Sequence, residues 1–118
     1  MNIGALGKKG EDMVSSFLIN KGRTILKRNY LCRFGEIDII AQKEDTLLFV
    51  EVKTRKENSL VSPKEAVDSH KIARMIKASQ DYLSKTVEEA ELQPRFDVAE
   101  VILKNDGKYH LNYIKNAF

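Results

Sequence analysis

An α/β fold, a mixed β-sheet flanked by helices in the order α-β-β-β-α-β-β, is predicted by three observations in this chain of 118 residues. Two stretches carry apolar residues at helical spacing, one near the start and one past the middle. Three strand-like runs lie between them and two more follow. A helix placed between the third and fourth strands implies a crossover, hence a mixed sheet with helices packed on it.

The first helix is expected from about Leu6 to Lys21, with Val14, Phe17 and Leu18 as its apolar stripe and Gly22 as its stop. Thr24 to Tyr30 reads as the first strand, followed by a turn over Leu31-Cys32-Arg33-Phe34. Gly35-Glu36-Ile37-Asp38-Ile39-Ile40 and Leu47-Leu48-Phe49-Val50-Glu51-Val52-Lys53 form a hairpin, and Arg55 to Val61 reads as a polar loop. Ser62-Pro63-Lys64-Glu65 has the form of a capped helix start. Asp68-Ser69 is a point where that helix restarts before Ile72, Met75, Ile76, Ser79 and Leu83 continue the spacing to about Ser84. Arg95 to Leu103 is a strand, Asn105-Asp106-Gly107 a turn, and Tyr109 to Ile114 the last strand.

With no repeat and no dividing linker, residues 1–118 are read as one domain, long enough to bury roughly two thirds of its unfolded surface. A net charge of +3 and a pI near 9.0 permit an anionic partner without requiring one. The single cysteine, Cys32, excludes an internal disulfide and a cysteine-based zinc site, which fits a cytoplasmic location. No apolar run approaches the ~20 residues of a membrane span, so no membrane partner is expected.

The charged residues of the hairpin carry the chemistry. If Glu44-Asp45 is the two-residue loop, Asp38 faces Glu51 and Glu36 faces Lys53. By strand alternation Glu36, Asp38 and Ile40 share one face, while Ile37, Ile39 and Ala41 share the other. A three-residue loop would instead send Asp38 and Glu51 to opposite faces unless a bulge restores them. Charged strand residues commonly just face water. Here both faces are otherwise apolar, as in the buried centre of a sheet, where carboxylates need partners. Two carboxylates about 5 Å apart repel by roughly 3 kcal/mol at an effective dielectric of ~20, which a divalent cation would offset.

Hard oxygen donors without His or Cys point to Mg²⁺, with Mn²⁺ as the alternative. Asp38, Glu51 and the Val52 carbonyl are the expected ligands, with Glu36 and Glu11 available to a second ion or its waters. Lys53 would orient an attacking water and stabilise charge on a phosphoryl oxygen. Neighbouring carboxylates should hold its pKa up, which favours positioning over proton abstraction. Glu11 continues the core-facing stripe of the first helix, and two readings stay open: the fringe of a frayed first turn, or a member of the cluster. Arg28, Arg33, Arg55, Lys56, Lys71, Arg74 and Lys77 suit phosphate contacts along a nucleic acid, or else simple solvation.

The chain resembles the YraN family (UPF0102), small bacterial proteins with a restriction-endonuclease-like fold. The likeness is carried by Gly7-x-x-Gly10-Glu11, Arg28-Asn29-Tyr30, Phe34-Gly35-Glu36-Ile37-Asp38 and Phe49-Val50-Glu51-Val52-Lys53-Thr54-Arg55. Ala66-Val67 with Lys71, Tyr82-Leu83, Arg95-Phe96-Asp97-Val98 and Asn116-Ala117-Phe118 extend it over nearly the whole chain. The wider nuclease superfamily, which includes archaeal Holliday-junction resolvases, uses a helix Glu, a strand Asp and a Glu-x-Lys. The resemblance therefore implies Glu11, Asp38, Glu51 and Lys53 as catalytic residues of a magnesium-dependent DNA endonuclease, acting on branched DNA as a homodimer. Ile37 departs from the proline that many superfamily members place before the aspartate. Two other readings belong to the same fold: a non-catalytic nucleic-acid-binding module, and an assembly protein docking a partner through its C-terminal strand and Asn116-Ala117-Phe118.

Overall fold

The computed structural model describes residues 3–59, 68–86 and 92–118. Its elements follow the expected order: α1 (Ile3–Asn20), β1 (Thr24–Cys32), β2 (Gly35–Lys43), β3 (Thr46–Lys56), α2 (Ser69–Thr86), β4 (Gln93–Leu103) and β5 (Tyr109–Ile114). The strands form one five-stranded sheet in sequential order. β3 and β4 are parallel, joined across α2, and the other neighbours are antiparallel. The two helices cover opposite faces. Val14 and Leu18 of α1 pack on Ile39, Ala41, Leu48, Val50, Ala99 and Val101. Ala78 of α2 packs on Ile37, Ile40, Leu47 and Phe49, with Tyr82, Leu83 and Phe96 at the margin. Burial on both faces explains why the central strands read as continuous apolar runs.

The hairpin register is the expected one, with Ile40 opposite Phe49, Ala41 opposite Leu48 and Lys43 opposite Thr46 around a two-residue Glu44-Asp45 loop. Glu44 takes a positive φ of 54° and its carbonyl accepts a hydrogen bond from the Gln42 side chain at 2.8 Å. That bond supports a turn the dipeptide alone would not favour.

Two expectations are corrected. β3 continues through Arg55 and Lys56, paired with Ile102 and Leu103, so the polar loop begins later than at Arg55. Pairing to a long neighbouring strand overrides the weak local signal of a polar run. The C-terminus is tied down onto β4. The Asn116 N–H donates to Asp97 at 2.9 Å, the Ala117 N–H to the Phe96 carbonyl at 2.7 Å, and Phe118 stacks on Phe96 at 5.2 Å. The α1 glycines mark no frayed turn, since all lie within the helix. The proposed cap at Ser62-Pro63-Lys64-Glu65 falls outside the described residues. The Asp68 carboxylate accepts the Lys71 N–H at 2.9 Å, and α2 begins at Ser69.

Asp97 is the buried anchor of the distal strands. It is fully buried, and Arg95 holds both its oxygens at 2.9 Å. Tyr113 on β5 donates its hydroxyl to Asp97 at 2.6 Å, and burial followed by this bond raises the Tyr113 pKa. A buried carboxylate with a bidentate arginine and two further donors has its charge met on every side.

Gly10 sets the height of α1 over β3. A Cβ built there would lie 2.1 Å from Thr54 Oγ1 and 3.2 Å from Thr54 Cβ. Gly to Ala within a helix ordinarily stabilises by about 0.8–1 kcal/mol. Gly10→Ala should instead destabilise by roughly 1–2 kcal/mol in urea denaturation, because the clash is with a stiff β-branched side chain. Adding Thr54→Ala should recover most of that loss. Deleting Asn116 to Phe118 should lower stability by about 2 kcal/mol through the lost Asp97 bond and ring stack. A truncated chain as stable as the parent would contradict this account of the terminus.

Candidate active site

The site is made where β2 and β3 part. Their paired run ends at Ile39–Val50. Beyond it β2 stays with β1 as far as Gly35, and β3 stays with β4 as far as Lys56. In the opened gap the Asp38 carboxylate accepts the Val52 N–H at 2.8 Å, replacing a ladder bond with a side-chain bond. A strand residue's N–H and C=O leave on the same side, so the Val52 carbonyl also borders this gap.

Simple alternation fails at this point, which corrects the expected grouping of Glu36, Asp38 and Ile40 on one face. Ile37 packs with Ile40 on the α2 side of the sheet, while Ile39 packs on the α1 side. β1 turns over at the same level. Arg28 bonds Asp12 of α1 at 2.8 Å, yet Tyr30, two residues on, donates its hydroxyl to Asp81 of α2. The residue between, Asn29, has a positive φ of 51°, a conformation that Asn tolerates better than most residues. Asn29 and Asp38 therefore form a joint kink that reverses the faces of two paired strands. Glu36 consequently turns toward α1 and does not face Lys53.

Asn29 is the site residue that pattern reading missed. Its side-chain nitrogen donates to Glu11 at 2.8 Å and to Glu36 at 2.9 Å, bridging two carboxylates from different elements. Arg28 adds charge compensation 3.8 Å from Glu11. Of the two readings of Glu11, the structure supports membership of the cluster. The only sequence signal for Asn29 was its place in Arg28-Asn29-Tyr30.

On the α2 side Glu51 is buried, only 5% exposed. Lys71 of α2 donates to Glu51 Oε1, and Lys53 Nζ stands 3.7 Å from the same oxygen. Gly35, Glu36, Asp38 and Glu51 form one wall of an open cleft, and Lys71, Arg74 and Met75 form the other. Lys71 is thus inside the site and not on a solvated stripe. Arg74 lines the cleft beside it. Arg55 pairs with Glu100 at 3.5 Å and Arg33 lies over the Phe34 ring at 4.7 Å, both outside the cleft lining.

Burial raises the Asp38 pKa to about 7, assisted by the Glu51, Glu11 and Glu36 carboxylates and opposed by the Val52 N–H. All four carboxylates therefore share one electrostatic field. Burial, then the Lys71 ammonium, lowers the Lys53 pKa, overriding the carboxylates expected to hold it up. Burial acts against charge on Lys71 too, but its bond to Glu51 leaves that pKa raised. One lysine is held charged while its neighbour is eased toward losing a proton.

Among the described residues no three His, Cys, Asp or Glu side chains gather into a cage for an ion. The cleft offers two carboxylates, Asp38 and Glu51, with the Val52 carbonyl beside them. That set fits Mg²⁺, which keeps most of its waters and takes one or two protein carboxylates. The high Asp38 pKa and the ammonium on Glu51 both mark a place where positive charge is favoured.

Fold and cleft together define a mixed-sheet α/β protein with a carboxylate–lysine site in a strand fork. A model of the family described as "Uncharacterised protein family UPF0102" matches residues 10–101, and the chain belongs to that family. It is 44% identical to a UPF0102 protein of Dictyoglomus thermophilum over all of both chains. It is 46% identical to one from Alkaliphilus oremlandii, covering 96% of this chain and 97% of that one. A Syntrophomonas wolfei relative is 42% identical over 96% of each.

The Asp38 environment has a thermodynamic signature. A carboxyl with pKa near 7 in the fold and 3.8 as its ordinary value holds its proton more tightly when folded, so stability falls as pH rises across that interval. Asp38→Asn keeps an acceptor for Val52 and removes the charge. The variant should match the parent near pH 4 and exceed it by roughly 4 kcal/mol at pH 8 without metal. Urea denaturation at both pH values measures this, and a difference independent of pH would contradict it.

Proposed function

We propose that the protein is a Mg²⁺-dependent endonuclease that hydrolyses phosphodiester bonds in DNA, branched DNA included. The observation that carries the reading is the fork: Asp38 lies between β2 and β3, bonded to Val52, with Glu51 and Lys53 flanking that residue along β3. Asp38, Glu51 and the Val52 carbonyl would hold the ion, which supplies Lewis acidity and a bound water of lowered pKa. Lys53 orients the attacking water and meets charge that develops on the phosphoryl oxygens. Glu11 and Glu36, tied through Asn29, raise the negative field at Asp38 and anchor waters on the α1 side.

Arg74 and Lys71 border the cleft where a phosphate backbone would run, and Arg28 flanks it on the α1 side. Arg33 and Arg55 are proposed as contacts further along the duplex. DNA, Mg²⁺ or Mn²⁺, and a second copy of the chain are the partners of this reading, and the cytoplasm is its setting. Among the described residues no helix is long and apolar enough to cross a membrane.

One observation favours a second reading, a nucleic-acid-binding module without catalysis. Glu51 already has two ammonium groups beside it, which satisfies its charge without an ion. Incubation with labelled linear, flapped and four-way-junction DNA in Mg²⁺ or Mn²⁺ separates the two. The nuclease reading expects metal-dependent cleavage, reduced at least about 100-fold by Asp38→Ala or Lys53→Ala. Salt-sensitive binding without cleavage, unchanged by Asp38→Ala, would establish the second reading instead.

A further inference from the structure

Glu51 holds a cation that the protein itself supplies. Lys71 donates to Glu51 Oε1, the oxygen that Lys53 Nζ also approaches at 3.7 Å. The carboxylate is buried, so few waters compete for it. Lys71 is the third residue of α2, a helix with no acidic side chain in its first turn. A cation there opposes the positive end of the helix dipole, so Glu51, not the helix, keeps the ammonium in place. Lys71 and Arg74 line the same cleft and present positive charge to an incoming anion.

We propose that Lys71 is an exchangeable counter-ion: in the free protein it neutralises Glu51 and competes with a divalent ion, and an arriving phosphodiester draws its ammonium away. Metal and nucleic acid then load together. The inference rests on the nuclease reading for its two ligands, and it assigns Lys71 a positioning role. The flexible four-carbon stem of lysine allows the ammonium to change partners without moving α2. Lys53 remains beside Glu51 throughout, so the carboxylate keeps one cation during the exchange. Because phosphate and metal act through the same ammonium, each must raise the affinity of the other by an equal factor.

The test begins with Mn²⁺ titrated calorimetrically into the DNA-free parent, Lys71→Gln and Lys71→Arg. Lys71→Gln should bind Mn²⁺ at least about tenfold more tightly than the parent, while Lys71→Arg should match the parent. An unchanged or weaker affinity in Lys71→Gln overturns the proposal, and so does a gain shared by Lys71→Arg. A measurement on the parent alone covers the case of a variant that fails to fold. Mn²⁺ should tighten parent binding of a cleavage-resistant phosphorothioate duplex several-fold, and no tightening overturns the exchange. A parent that binds ion and duplex cooperatively yet cuts nothing leaves the exchange standing and sinks the nuclease reading. A parent that cuts DNA while Lys71→Gln gains no Mn²⁺ affinity sinks the exchange alone.

Discussion

The bond from the Val52 N–H to the Asp38 carboxylate is the constraint around which the rest of this structure is arranged. A central antiparallel ladder normally continues until the strands end, because a buried backbone group without a partner costs about 1–3 kcal/mol. Here the ladder stops at Ile39–Val50 while both strands go on, each paired to its other neighbour. Asp38 meets the backbone donor that the parting exposes. A carboxylate is thereby placed inside a sheet without leaving the Val52 N–H stranded.

The fork is expensive in electrostatic terms, and the surrounding residues reduce that expense in two separate ways. On the α1 side Asn29 donates to both Glu11 and Glu36, and Arg28 lies near Glu11. On the α2 side two lysines attend Glu51. Asp38, between the two groups, accepts the Val52 N–H and has its pKa pushed up by burial to about 7. The residual repulsion is concentrated on Asp38. Stability is given up at the position where binding would recover it.

Away from the cleft a second buried carboxylate, Asp97, is matched internally. Asp97 receives Arg95, Tyr113 and the Asn116 N–H, joining β4, β5 and the C-terminus in one network. Close approach of Gly10 to Thr54 lowers α1 onto β3, which carries Glu11 to within reach of Asn29. Residues that resemble functional motif members, Arg95-Phe96-Asp97 and Asn116-Ala117-Phe118, are therefore structural. They tie β5 and the C-terminus to β4, while the stack of Phe96 on Phe49 joins β4 to β3.

Much of this was legible in the residues. Helical stripes at Val14 and Leu18 and at Met75 and Ser79, the Asn105-Asp106-Gly107 turn and the apolar central strands gave the element order, because side-chain periodicity directly reflects backbone geometry. The hairpin register followed from a two-residue loop. That register set Asp38 opposite Glu51, whereas the ladder ends at Ile39–Val50 and Asp38 meets the Val52 N–H, and Arg55 was misplaced only because polar residues can still pair in a long parallel ladder. What the sequence could not show was the reversal at Asn29 and Asp38, since alternation is a local rule and the reversal arises from two strands kinking together. Nor could it show that Lys71, some twenty positions downstream, closes on Glu51, or that Asn29 joins Glu11 to Glu36. Those pairings depend on where packed helices place long side chains over a sheet, and only the tertiary structure decides that.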